Sequence, residues 1–244
     1  MGSKPNIYLD NYQEVYLRPP HFFDDIVKRL FRISSPSNQQ ILDIGCGFGD
    51  FLDSVKRINK KSKEFYGLTI APHEAQDIKK NKKFINITIG KQQDLLRHYN
   101  TTFDCIASFH TLSYVNQDQQ KKTTKQMLSL LKSNGLLVLG FLPDWIKISS
   151  KVSQQGKGYC QFFYSPFLFP LLAKDARLVD SFKEERNKYL IQVWKKKTNI
   201  SYGNRAEALG LSYFFILRNN ILQWPFLRGI GSYLIQMIQK RGKK

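Results

Sequence analysis

Acidic side chains are scarce in this sequence. Nineteen Asp and Glu stand against 38 Lys and Arg in 244 residues, a formal net charge of +19 with a pI near 9.8. Such an imbalance disfavours a cationic polymer as partner and favours polyanions, phosphorylated molecules or acidic membrane surfaces. Cysteine is scarce as well. Cys46, Cys105 and Cys160 show no paired spacing. That argues against a disulfide framework or a zinc site and fits a reducing compartment, the cytoplasm. Long apolar runs are missing. No stretch approaches the ~20 uninterrupted apolar residues of a membrane-spanning helix. Residues 1–28 hold no extended apolar core, so no secretory leader is expected there.

What is present fits a folded domain. Hydrophobic residues make up 42% and aromatics 14%, enough to bury a core and unlike a disordered chain. The basic residues are widely spread, with runs at Lys79-Lys80-Asn81-Lys82-Lys83, Lys195-Lys196-Lys197 and Lys240-Arg241-Gly242-Lys243-Lys244. None of these runs is interleaved with aromatics in the manner of an RNA-binding module. A solvated basic surface and a polyanion-binding one both remain open.

The most informative segment is Ile41-Leu42-Asp43-Ile44-Gly45-Cys46-Gly47-Phe48-Gly49-Asp50-Phe51-Leu52. A short apolar run ends in an acid, three glycines follow at alternate positions, and a helical apolar pattern begins. This is a strand turning into a helix around a ligand, because glycine takes positive φ and lets a ligand approach the backbone. The spacing is not the G-x-G-x-x-G that cradles a pyrophosphate. An acid at the strand end suits a cationic ligand.

Leu42 to Gly49 resembles the first motif of class I S-adenosylmethionine-dependent methyltransferases of the small-molecule type. Three later segments add to the resemblance. Tyr66-Gly67-Leu68-Thr69-Ile70-Ala71-Pro72 is similar to the second-strand segment of the cyclopropane-synthase-like members. Phe103-Asp104-Cys105-Ile106-Ala107-Ser108 is similar to the fourth strand. Leu131-Lys132-Ser133-Asn134-Gly135-Leu136 is similar to the segment before the fifth. The matches run in order over residues 36–142.

The resemblance implies S-adenosylmethionine as cofactor, with Asp43, Gly45, Cys46, Gly47, Gly49, Thr69, Ile70, Glu74, Gln92 and Ser108 around it. Many family members carry a ribose-binding acid where Thr69 stands; here Glu74, in the next helix, is the candidate carboxylate. An exposed helix-start acid is the alternative for Glu74. Lys91 replaces the acid that often neighbours the adenine, leaving Gln92 or Gln93 to supply an amide oxygen. His110, at the end of the fourth strand, is the candidate general base, since its unperturbed pKa of ~6.5 suits proton removal.

The periodicity predicts helix–strand alternation. Strands are expected at Gln40–Ile44, Glu64–Leu68, Phe84–Ile89, Phe103–Phe109 and Gly135–Phe141, then a hairpin of Arg177–Glu184 and Lys188–Trp194. Helices are expected around Phe22–Phe31, after Asp50, and at Ala71–Lys79, Asp118–Leu131 and Ser165–Leu172, with Asn134-Gly135 closing the long one in a left-handed turn. The expected fold is α/β: a Rossmann-like class I methyltransferase fold with a mostly parallel seven-stranded sheet and a terminal antiparallel hairpin.

Three parts are expected: an N-terminal helical cap (1–35), a cofactor-binding domain (36–198) and a basic amphipathic C-terminal extension (199–244). The tyrosines at 8, 12 and 16 and the aromatic loop 144–164 are candidates for a lid. Ile230, Tyr233, Leu234, Met237 and Ile238 form a helical stripe before the basic end, suited to an anionic membrane surface or to docking on protein. The expected activity is methyl transfer to a small-molecule or lipid-linked acceptor. RNA methylation, prompted by the charge, and a non-catalytic binding protein, prompted by the acids missing at Thr69 and Lys91, are the alternatives.

Overall fold

The computed structural model describes residues 21–34, 39–60, 64–115, 117–141, 168–183 and 190–198. All of these belong to one unit of the chain, Met1–Asn199. The tyrosines at 8, 12 and 16, the loop 144–164 and the tail from 199 lie outside the described residues, as do the expectations placed on them.

Alternation of apolar strands with amphipathic helices gives α1 (Asp24–Ile33), β1 (Gln40–Ile44), α2 (Asp50–Ile58), β2 (Glu64–Thr69), α3 (Pro72–Asn81), β3 (Ile85–Ile89), α4 (Leu95–His98), β4 (Phe103–Phe109), α5 (Gln117–Leu130), β5 (Leu131–Phe141), α6 (Leu168–Asp175), β6 (Ala176–Lys183) and β7 (Leu190–Lys196). The strands form one seven-stranded sheet in the order β3-β2-β1-β4-β5-β7-β6. The β3, β2, β1, β4 and β5 strands run parallel, while β7 pairs antiparallel with both β5 and β6. This is the order of the class I methyltransferase fold. It places β1 and β4 side by side at the point where the connections reverse direction, the crevice where open α/β sheets bind ligands.

Burial on both faces explains why β1 and β4 read as nearly unbroken apolar runs. On one face Ile41, Phe65, Cys105, Ala107 and Val138 meet Ile26, Val27 and Leu30 of α1 and Phe51, Leu52 and Val55 of α2. Phe23 anchors this layer, with ring centroids 5.6 Å from Phe51 and 4.7 Å from Phe109. Ion pairs hold α1 to its neighbours. Arg57 of α2 donates to both Asp24 carboxylate oxygens at 2.9 and 2.7 Å, and Arg29 grips Asp180 of β6 at 2.5 and 2.8 Å.

Most element ends fall within about three residues of the sequence expectation, and two differences are larger. No element is expected between Ile89 and Phe103, yet a 3-10 turn forms at Gln92–Asp94, followed by α4, held by the fully buried Leu95. The long helix stops at Leu130, and β5 begins at Leu131 without an intervening loop. Leu131 pairs with Phe103, the register then shifts, and pairing resumes at Cys105 with Leu136. The left-handed residue is Asn134 (φ 64°), inside this irregularity rather than at the helix end. Asp104 fixes the break by accepting hydrogen bonds from Lys132 Nζ and from the Gln40 amide, each 2.9 Å long.

The core contains groups that burial keeps protonated. Desolvation pushes the Cys105 thiol up to about 12 and raises the Cys46 thiol and the Tyr99 phenol as well. Their folded values exceed their unfolded ones, so the stability they contribute is complete below the unfolded pKa and is lost as pH rises towards the folded value. Unfolding free energy is therefore expected to fall above pH ~8.5, by up to ~1.4 kcal/mol per pH unit for each thiol in its window. Urea titrations between pH 8 and 10.5 check this, and Cys105→Ala should flatten the slope. A pH-independent midpoint across that range would contradict it.

Candidate active site

The strand–helix junction after β1 is built on three left-handed glycines: Gly45 (φ 71°), Gly47 (φ 55°) and Gly49 (φ 79°). Alternating residues in this conformation curl the backbone back on itself, which only glycine does without strain. The curl is pinned from three sides. The amides of Gly45 and Cys46 both donate to the Leu68 carbonyl at 2.7 and 3.0 Å. Thr111 Oγ1 donates to the Ile44 carbonyl at 2.9 Å. Lys82 Nζ donates to the Phe48 carbonyl and to Asp50 at 2.8 and 2.9 Å. Thr111 and Lys82 were not flagged by the sequence, because their partners are backbone carbonyls and a residue 32 positions away.

Asp43 lies one residue before the end of β1, buried to 3% exposure. Its in-register neighbours are Gly67 of β2 and Ala107 of β4, which carry no bulk beside its carboxylate. Thr69 closes β2, and its hydroxyl donates to Glu74 of α3. The carboxylate missing at position 69 is thus supplied from the first turn of the following helix. Glu74 is buried, not an exposed helix-start acid. Burial first, and then the charges of Asp43 and of Glu74, hold the Cys46 thiol well above its ordinary range. Both carboxylates therefore act on the same buried sulfur.

Gln92 lies in the 3-10 turn that follows β3, and Ser108 one residue before the end of β4. The Gln92 amide donates to the Thr111 carbonyl at 3.2 Å, while its Oε1 is buried without a hydrogen-bond partner. Ser108 Oγ is likewise buried and unpartnered. Buried polar atoms left open in this way are rare and call for a ligand or an ordered water. The backbone carbonyl of Gln93 accepts from Gln126 Nε2 at 3.1 Å, which ties this turn to α5. Ile70, at 49% exposure, is the odd member of the predicted set, an apolar side chain facing outward after β2. Ile89 at the end of β3 is 48% exposed, and β3 pairs there with Thr69. Together they form an apolar lip beside the Gln92 turn.

His110 follows β4 directly and is buried. Its backbone is left-handed (φ 63°), and its amide donates to the Gly140 carbonyl of β5 at 2.7 Å. A non-glycine residue in this region costs about 1–2 kcal/mol and persists where its surroundings fix it. Here they do: Phe109 packs under Phe23 and Phe51, and Gln120 Nε2 of α5 binds the Leu112 and Val115 carbonyls at 3.0 and 3.1 Å. Among the described residues no group of His, Cys, Asp or Glu is arranged to hold a metal ion.

A family model described as a methyltransferase domain matches residues 13–154, more than half of the chain. The chain belongs to this methyltransferase-domain family. No curated protein sequence matches it. Solved methyltransferase structures share its fold. CalS10, an amino pentose methyltransferase from Micromonospora echinaspora solved with S-adenosylmethionine, superposes with a TM-score of 0.63 at 14% identity, over 80% of this chain and 100% of its own. The N-methyltransferase NodS from Bradyrhizobium japonicum, in complex with S-adenosyl-L-homocysteine, gives 0.57 at 17% identity over 78% and 94%. Magnesium protoporphyrin IX methyltransferase from Synechocystis gives 0.61 at 12% identity over 79% and 95%. At these identities the likeness is one of fold.

Proposed function

We propose that this protein binds S-adenosylmethionine at the carboxyl ends of β1, β2 and β4 and transfers its methyl group to a small-molecule acceptor. The observation that carries the reading is the pair of buried carboxylates, Asp43 and Glu74, whose charges both act on Cys46 within the glycine turn. Burying two carboxylates in one neighbourhood costs stability unless cations or hydrogen-bond donors meet them. S-adenosylmethionine brings an ammonium, a sulfonium cation and a ribose diol, groups that these carboxylates can bind beside their contacts within the protein.

In this reading Asp43 and the backbone of Gly45, Cys46, Gly47 and Gly49 hold the amino-acid end. Glu74, positioned by Thr69, accepts from the ribose hydroxyls. The open Gln92 Oε1 accepts from the adenine amino group, replacing the acid that Lys91 displaces, and Ile70 covers the ring. Ser108 lines the cleft floor. Bound there, S-adenosylmethionine supplies a methyl group already activated by its sulfonium. What the chain adds is orientation of the acceptor and exclusion of water. His110, held at the end of β4, removes a proton from an acceptor hydroxyl or amine where one must leave.

Calorimetry with S-adenosylmethionine and S-adenosylhomocysteine tests the reading. Both are expected to bind. Glu74→Gln keeps shape and hydrogen-bonding reach but loses the charge, so its affinity should fall by about 10-fold, the loss of ~1.5 kcal/mol from a charge-assisted hydrogen bond. Absence of binding by the parent protein would sink the reading. Equal affinity in the variant would remove Glu74 from it.

A further inference from the structure

A second cavity lies away from the glycine turn, along the free edge of the sheet. The edge strand β3 forms one side of a groove of about 460 Å³, within the range of small-molecule sites. Its polar lining is Lys79, Asn86, Thr88, His98, Asn100 and Thr101. Tyr66 and Tyr99 form an aromatic wall, their rings edge-on at 6.3 Å. The wall is fixed: Tyr66 donates to Glu64 at 2.9 Å and Tyr99 to the Gly67 carbonyl at 3.2 Å.

The chemistry of this lining is one-sided. No acid lines the groove among the described residues, and no carboxylate among them pairs with Lys79. Glu64, bonded to the lining Tyr66, also accepts from Gln40 Nε2 at 2.6 Å, and Asp77 accepts from Asn81 Nδ2 at 2.7 Å. The amides of Asn86 and Asn100 and the Thr101 hydroxyl offer both donors and acceptors, which matches ligand hydroxyls, while the Thr88 hydroxyl is engaged by Tyr99. One ammonium offers a point charge of the kind that binds phosphate. The half-buried Tyr66 ring, backed by the buried Tyr99, offers apolar surface for one side of a sugar ring. His98 is seated firmly, because its ring occupies the space that a Cβ at Gly90 would need. A nucleic-acid strand needs a cationic track along its backbone. This groove has a single lysine and one imidazole.

We propose that the β3 edge groove is a second ligand site, for a small phosphorylated polyol such as a sugar phosphate. The charge of +19 raises the local concentration of such anions, and Lys79 with the Asn and Thr side chains selects among them. The proposal does not rest on the methyl-transfer reading.

The test is calorimetry on the full chain with ribose 5-phosphate, ribose and inorganic phosphate at about 0.15 M salt, where diffuse surface attraction is screened. Ribose 5-phosphate is expected to bind saturably, ribose much more weakly, and inorganic phosphate to compete. Lys79→Gln and Asn100→Ala, both at exposed positions, should each weaken the phosphate ester by about 10-fold or more. S-adenosylhomocysteine should neither displace it nor bind differently to the variants. Four results would overturn the proposal: no saturable binding, equal binding of ribose, displacement by S-adenosylhomocysteine, or unchanged affinity in Lys79→Gln, which marks diffuse attraction to the basic surface. If the parent protein binds the phosphate ester but not S-adenosylhomocysteine, the methyl-transfer reading falls and this one stands.

Discussion

Asp43→Ala is expected to lower the affinity for S-adenosylmethionine by one to two orders of magnitude while the fold persists. Asp43 is 3% exposed and sits between Gly67 and Ala107, two neighbours too small to crowd its carboxylate. A charged group at this place forms hydrogen bonds worth about 1.5–3 kcal/mol with a cationic partner, so its loss corresponds to ~10–150-fold in affinity. Asp43→Asn separates shape from charge and should fall between parent and alanine. Circular dichroism and a melting curve establish that each variant is folded, and titration with S-adenosylhomocysteine gives the affinity. A folded Asp43→Ala protein that binds as tightly as the parent would remove the acid from the cofactor site.

The second large effect is on stability. Gly45→Ala should destabilise the domain by about 2–5 kcal/mol, a large part of the ~5–15 kcal/mol that holds a typical domain together. Two costs combine. Position 45 is left-handed (φ 71°), and a Cβ there would overlap the Thr111 side chain. Thr111 cannot turn aside freely, because its hydroxyl is bonded to the Ile44 carbonyl. The two terms separate in a double-mutant cycle. Thr111→Ala alone loses about 1 kcal/mol with its hydrogen bond. Placed in the Gly45→Ala background, it removes the two closest atoms, Oγ1 and Cγ2, and leaves a Cβ contact of 2.8 Å beside the backbone strain, so the double variant is less damaged than the sum of the singles. Urea midpoints of the four proteins measure this. Strict additivity would mean that the overlap is relieved elsewhere in the turn.

Much of the fold was legible because it depends on short-range pattern. The β1 and β4 strands have the bounds that their apolar runs predict, and the glycines at 45, 47 and 49 are all left-handed as their spacing implies. Where expectation and structure part, the deciding contact is long-range. The early start of β5 is set by Leu131 pairing with Phe103 and by the Asp104 bonds to Lys132 and Gln40, partners 28 and 64 positions apart. No local window contains them. The 3-10 turn at Gln92–Asp94 was missed for a related reason: it is held by Leu95 and by packing against α5, not by its own polar sequence.

The candidate site divides in the same way. The sequence alone determined that a strand ends in an acid, that three glycines turn the chain into a helix, and that an acid is missing at Thr69. Those are properties of neighbouring residues and of backbone sterics. Only the tertiary structure decided where Glu74 goes. Helix α3 folds back over the end of β2 and delivers that carboxylate to the Thr69 hydroxyl, so the site regains a charge that the strand itself lacks. It also left the Gln92 Oε1 buried without a hydrogen-bond partner, and it fixed His110 in a left-handed turn through a hydrogen bond to Gly140. Side chains that act through space are chosen by packing between elements, and a linear pattern carries no record of that packing.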